Sequence, residues 1–287
     1  MDRFFVYLQH LIPQHGLSRL TGRLANCRLA WIKNPFIFLF ARLFKVDLGE
    51  ARIQDCRQFQ HFNDFFTREL LAGSRPLAGD ARTLVSPADG IISQLGPIRE
   101  QSLLQAKGIE YSAEALLGGD EQDFRLFKNG SFLTIYLSPR DYHRVHMPIA
   151  GKLLRTVYIP GKLLSVNRQT TRLVPDLFTR NERLVCLFDT EAGPMAMVLV
   201  GAMIVAGIQT VWGGKACPSD HGLKRQNYNR LTSQVRLERG AEMGRFMLGS
   251  TVILLFGPNA VTLSASLAEG SPIRLGEAIA NRPSPES

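Results

Sequence analysis

The stretch RFMLGSTVILLF, Arg245 to Phe256, decides how the chain is read. Val252 to Phe256 is a short, uninterrupted apolar run rich in β-branched residues, the pattern of a strand buried on both faces. Ahead of it stand Gly249 and two hydroxyls, Ser250 and Thr251, with no Pro, Asn or Asp to mark a surface turn. A bend or bulge explains the glycine, because glycine tolerates backbone conformations that other residues do not. The stretch alone favours that structural reading, and only the rest of the chain can change it.

Working outward, short strands dominate from about Thr83 onward. TLVSPADGIISQLG gives two extended runs around Pro87-Ala88-Asp89-Gly90, and SFLTIYLSPRDYHRVHMPIAGKLLRTVYIPGKL gives a strand, a turn and a long strand. LVCLFDT and PMAMVLVGAMIVAGIQTVW add further strands, the second broken at Gly201 and Gly207. Gly213 to Arg239 is a polar, basic excursion, SAEALLG (Ser112 to Gly118) has helical spacing, and NRPSPES is expected to fray.

Residues 1 to 70 have a different texture. DRFFVYLQHLI, LSRLTGRLANCRLAWI and PFIFLFARLF space apolar residues as amphipathic helices, with Pro13 and Pro35 between them and Pro35 in the first turn of the third. FQHFNDFFTREL, Phe59 to Leu70, predicts one more helix. Up to Lys45 there are seven basic residues against one acid, Asp2. Basic helices rich in Phe and Leu suit an interfacial membrane anchor and equally suit helices that cap a core. The expected fold is therefore α+β: a helical, membrane-docking region over 1–70 on a mostly antiparallel, β-rich catalytic body over 71–287.

Composition bounds the function. With 287 residues, 45% of them hydrophobic, the chain can bury a substantial core, and its net charge of +9 suggests a polyanionic partner, nucleic acid or an anionic membrane. The basic residues are spread along the chain with no zinc-finger or RNP-like pattern, which argues against nucleic acid. The N-terminus does not read as a secretory signal, and no apolar run reaches the ~18 residues needed to span a bilayer. Cys27, Cys56, Cys186 and Cys217 form no CxxC pair, so zinc or redox motifs are not expected and reduced thiols are the default.

Three segments could carry chemistry: SPADG with Asp89, SPRDYHRVHMP with His143 and His146, and LGST with Ser250. Asp, His and Ser are the parts of a base-activated nucleophile. Each has an ordinary alternative: an Asp-Gly turn, hydrogen-bonded histidines of a core, or half of a metal site that lacks completing ligands. In a regular strand His143 and His146 would face opposite ways, so only a turn or bulge brings both to one site. A serine-hydrolase elbow fails locally, because Leu248 and Val252 occupy the places where it needs glycines.

Together these segments resemble the phosphatidylserine decarboxylases of the bacterial and mitochondrial type. The resemblance runs from FNDFFTREL to STVILLF through SPADG, YLSPRDYHRVHMP, YIPGKLLSVN, RNERLVCLFDT, GPMAMVLVGAMIVAGI and RGAEMGRFMLGST. It departs at Leu164, where an aromatic residue is expected, and over Gly213 to Arg236. It implies a proenzyme that cuts itself between Gly249 and Ser250 into chains 1–249 and 250–287, which stay associated. Ser250 Oγ would attack the Gly249 carbonyl, with His146 as base and Asp89 orienting it. Elimination and loss of ammonia would leave a pyruvoyl group on the small chain, with no pyridoxal phosphate and no metal. That group would form a Schiff base with the serine amine of phosphatidylserine, with His143 as candidate general acid after CO₂ leaves. Thr251 is assigned at most a share in holding the leaving group or oxyanion. The resemblance also implies a homodimer, peripheral on the cytoplasmic face of the bacterial inner membrane, with anionic lipid and not nucleic acid as partner. The nearest rival is a pyruvoyl decarboxylase of a soluble amino acid, which would leave Phe4, Phe5 and Phe36 to Phe40 without lipid to meet.

Overall fold

The computed structural model describes residues 21–106, 108–202, 207–216, 222–229, 234–247 and 250–283. The apolar run that opened the sequence analysis is β15 (Ser250–Phe256), and every one of its residues is buried. It lies inside a nine-stranded antiparallel sheet, between β9 (Gly193–Gly201) and β5 (Ser131–Leu137). Beyond β9 come β8 (Arg183–Thr190) and β7 (Gly151–Ile159), which pairs with both β12 (Lys224–Asn227) and β13 (Arg236–Leu237). On the other side β5 is followed by β2 (Gly90–Pro97) and β17 (Pro272–Ile273).

Side chains alternate across β15. Val252, Leu254 and Phe256 join one apolar core with Ile135, Val145, Met197 and Phe246, while Ile253 and Leu255 join a second with Phe127, Phe178 and Val185. Burying such a side chain stabilises the fold by about 1.5–3 kcal/mol, so both faces hold the strand in register. The first core is closed by a four-stranded sheet, β11 (Gly214–Lys215), β10 (Ile208–Thr210), β14 (Glu242–Phe246) and β6 (Arg144–His146), in that order. A third sheet joins β1 (Thr83–Val85), β18 (Ala278–Asn281) and β16 (Thr262–Leu263), and β3 (Ser102–Ala106) pairs with β4 (Ile109–Ser112) as a separate ribbon. Mixed α+β architecture with mostly antiparallel strands is as expected. The strand break between Gly201 and Gly207 is also found, with β9 ending at Gly201 and β10 beginning at Ile208.

The helical expectations need correction. Helix α1 (Ala30–Phe44) runs through Pro35 instead of starting there. An interior proline forfeits a backbone hydrogen bond and costs ~3 kcal/mol or more. The turn before it is kept by Lys33, which donates Nζ to Arg57 O at 2.9 Å, and by bonds from the Ile32 and Lys33 amides to Leu29 O. The face beyond is kept by Phe36 and Phe40, whose rings meet Phe62 at 4.4 and 4.9 Å. The second helical run is interrupted: residues 21–25 are helical and 26–29 are not. Residues 1–20 lie outside the described residues.

The helix expected over 59–70 is only α2 (Phe62–Phe66). His61 caps it by accepting the Asp64 amide on Nδ1 at 3.0 Å. Past Thr67 the backbone is claimed by another segment: Leu71 N bonds Glu50 O, and Arg52 N bonds Glu69 O, both at 2.8 Å. Pairing with distant chain wins over local helical propensity. The supposed frayed end is likewise ordered at its start, since Asn281 pairs with Thr83 and Thr262. Ser284 to Ser287 lie outside the described residues.

Candidate active site

Asp89 occupies the loop between β1 and β2. Arg75 grips it at both oxygens, Nε to Oδ1 at 3.0 Å and Nη2 to Oδ2 at 2.7 Å, and the Leu275 amide donates to Oδ1 at 2.8 Å. Arg75 also donates to Glu50 at 2.7 Å, and Glu50 in turn accepts from Arg274 at 3.0 Å. Gly90 serves close approach rather than a left-handed turn: a Cβ there would lie 2.4 Å from Tyr136 O in the neighbouring strand β5. The residue after Asp89 therefore has to be small for β2 to join the sheet.

His146 ends β6, and its amide donates to Pro87 O at 2.8 Å, which ties it to the loop that carries Asp89. A carbonyl can only accept, so the 2.8 Å contact with Gly240 O fixes the proton on Nδ1. Nε2 then carries the lone pair, and it accepts the Tyr142 hydroxyl at 3.0 Å. Burial lowers the His146 pKa, with Gly240 O, Glu242 and Asp89 acting in the opposite direction. Burial also raises the Tyr142 pKa, which keeps that hydroxyl protonated as donor.

His143 is fully buried just before β6, its ring 4.0 Å from that of Phe66. Nδ1 donates to Asp141 O at 2.8 Å, while Nε2 has no partner among the described residues. Burial pushes its pKa down to about 3, and the neighbouring Arg68 adds to the lowering. The imidazole is therefore neutral, with its unused lone pair on Nε2.

Ser250 is fully buried at the first position of β15, and its hydroxyl has no hydrogen-bond partner among the described residues. Alternation places it on the side of Val252 and Leu254, facing the core closed by β6 and β14. Thr251 falls on the opposite side, also buried and unpartnered, so the strand separates the two hydroxyls. Gly249 and Leu248 lie outside the described residues, as does His221.

The fold thus ties the Asp89 loop to His146 through Pro87 O, sets His143 against Phe66, and places Ser250 at the head of β15. It does not join Asp89 to His146 by a hydrogen bond: the carboxylate is held by Arg75 and Leu275, and the imidazole by Gly240 and Tyr142. Sequence reasoning missed Arg75, Tyr142 and Arg68. Tyr142 could have been noticed, because it lies inside the histidine segment. Arg75 stands in a polar stretch 14 residues before Asp89 with no pattern to mark it.

Residues 62–281 match the family model described as phosphatidylserine decarboxylase, and residues 4–45 match one described as PSD. The chain belongs to the phosphatidylserine decarboxylase family. It is 55% identical over 280 residues to the phosphatidylserine decarboxylase proenzyme of Pseudomonas aeruginosa PAO1, covering 97% of both chains. It is 56% identical over 279 residues to that of Azotobacter vinelandii, covering 97% of this chain and 98% of the relative. In this member of the family Leu164 is wholly interior, its backbone bonded at both N–H and C=O by the Asn181 amide.

Proposed function

We propose that the chain decarboxylates phosphatidylserine to phosphatidylethanolamine and CO₂ with a pyruvoyl group that it makes from its own Ser250. The observation that carries this reading is the Ser250 hydroxyl, buried without a partner at the head of an interior strand. A buried hydroxyl left unpaired costs stability, and such positions persist where the group is consumed by chemistry.

In self-cleavage Ser250 Oγ attacks the Gly249 carbonyl and gives its proton to His146. The Gly240 carbonyl holds His146 in the tautomer whose Nε2 is basic, and that nitrogen becomes available as the Tyr142 hydroxyl turns away. Asp89, fixed by Arg75, supplies negative charge from the adjoining loop when the imidazole becomes cationic. The resulting ester loses the Ser250 α-proton and the Gly249 carboxylate, and then ammonia by hydrolysis. β15 stays hydrogen-bonded between β5 and β9, so the two products remain one body.

A pyruvoyl group supplies an electron-accepting carbonyl for the substrate amine, the task that pyridoxal phosphate performs elsewhere. His143 handles the protons around it. It is the candidate general acid: Nε2 takes up a solvent proton as the anionic substrate settles beside the ring and delivers it to the substrate carbon once CO₂ has left.

The outer face of α1 supports docking on a membrane. Trp31 is 75% exposed, Phe38 60%, Leu39 63% and Leu43 69%, while the opposite face packs on α2. No helix among the described residues is long and apolar enough to cross a bilayer. We read this face as the interfacial anchor of a peripheral enzyme on the cytoplasmic side of the bacterial inner membrane, working as a homodimer. A decarboxylase of a soluble amino acid would have no use for it. Incubation with vesicles of labelled phosphatidylserine tests the reading: CO₂ and phosphatidylethanolamine should appear, and Ser250→Ala should form neither.

A further inference from the structure

Arg68 is a buried cation with no ion pair among the described residues. It is 5% exposed, and Nη2 donates to Arg140 O at 2.9 Å and to Asp141 O at 3.4 Å. Nε and Nη1 have no partner among the described residues. The contrast with Arg183, also interior, is direct. There Nε donates to Leu116 O, Nη1 to Thr179 O and Asn181 O, and Nη2 to Ala115 O, so every nitrogen is satisfied.

Leaving a guanidinium buried with open donors is costly unless an anion completes it. The three carboxylates that act on Arg68 electrostatically, Asp89, Asp141 and Asp47, are otherwise engaged, Asp47 by the Gly49 amide at 2.7 Å. Asp89 is held by Arg75, and Asp141 accepts the amide and hydroxyl of Ser138, both at 2.7 Å. The position is also specific. Asp141 O, which receives Arg68 Nη2, is the same atom that receives His143 Nδ1. Phe66 lies against His143, and Phe65 lies 5.9 Å below the guanidinium.

We infer that Arg68 is a substrate-binding residue that holds the phosphodiester of the lipid head group beside His143. This rests on the reading of Ser250 given above. Phosphatidylserine carries two anions. A cation on the carboxylate would stabilise the ground state against departure of CO₂, whereas a contact with the phosphodiester persists unchanged through the step. Arginine suits that oxyanion, because its donors match phosphate geometry.

The test compares wild type, Arg68→Gln and Arg68→Lys in three readouts: intact mass, steady-state decarboxylation, and calorimetric binding of glycerophosphoethanolamine, which keeps the phosphodiester and lacks the carboxylate. Arg68→Gln should still be cut after Gly249, with KM for phosphatidylserine raised at least about tenfold and kcat changed far less. Its affinity for glycerophosphoethanolamine should fall by a similar factor, and Arg68→Lys should recover part of both. Unchanged KM and binding would overturn the inference, as would loss of folding and self-cleavage in both variants. A rise in KM with glycerophosphoethanolamine binding intact would assign Arg68 to the carboxylate and overturn it too. Wild-type protein that is cut yet releases no CO₂ would instead overturn the functional reading, and the binding comparison would still decide Arg68.

Discussion

Arg75 reaches Asp89 from 14 residues earlier in the chain and binds both of its carboxylate oxygens, at 3.0 and 2.7 Å. Both side chains are largely buried, at 8% and 12% exposure. Removing one partner of such a pair leaves the other charge uncompensated. Arg75→Ala should lower stability by about 3 kcal/mol and slow self-cleavage, because Asp89 loses its anchor. Thermal unfolding and a mass time course would show both effects. Unfolding unchanged from wild type would mean that the clamp contributes little.

The two histidines are held differently, and the account separates their tasks. His146→Ala should leave the chain uncut, since it removes the base assigned to Ser250. His143→Ala should still be cut between Gly249 and Ser250 but decarboxylate at least about a hundredfold more slowly, the usual worth of a positioned acid–base group. Electrophoresis under denaturing conditions and CO₂ release together distinguish the cases. Failure of both variants to be cut would merge the roles and count against this division.

Much of this arrangement was legible in sequence, for reasons that can be stated. β15, β8 and β9 are apolar runs whose own composition demands burial. Helix α3 (Ala113–Leu117) was marked by a Ser112 side chain that caps it and by Gly118, which closes it at φ 99°. β6 was not legible, because Arg144, Val145 and His146 become a strand only when β14 pairs with them. The course of α1 through Pro35 depends likewise on Phe62 and Arg57, which lie outside the local pattern. At the site, residue types and the family resemblance named Asp89, His143, His146 and Ser250. Their partners Arg75, Arg68 and Tyr142 are products of tertiary folding. Spacing along the chain gave no sign that Asp89 would be tied to an arginine and His146 to a tyrosine.

Burial makes stability depend on pH with a definite sign. His143 has its pKa pushed from 6.5 down to about 3, and His146 is shifted in the same direction. Between those pH values the unfolded chain binds the proton and the folded chain does not. The contribution is thus complete above pH ~6.5 and is lost as pH falls toward 3, by up to about 1.4 kcal/mol per pH unit for each group. Asp141, whose carboxyl is raised by burial, acts in the opposite sense at the acid end. Denaturant titrations at pH 7.5 and 5 should therefore show wild type losing more stability than His143→Gln. Equal losses would contradict the burial argument.

The exposed apolar face of α1 predicts a separable loss. Replacing Trp31, Phe38, Leu39 and Leu43 together by Ser should leave folding and self-cleavage intact, because these side chains face away from α2. Sedimentation with anionic vesicles should fall at least about tenfold. Undiminished sedimentation would move the membrane contact elsewhere on the molecule.

The central claim is that Ser250 is consumed to make the prosthetic group, and intact mass under denaturing conditions tests it most directly. The account predicts two chains divided between Gly249 and Ser250, with the smaller carrying a pyruvoyl group in place of its N-terminal serine. A single, uncut chain in folded and fully matured protein would contradict it and return Ser250 to being the first residue of a buried strand.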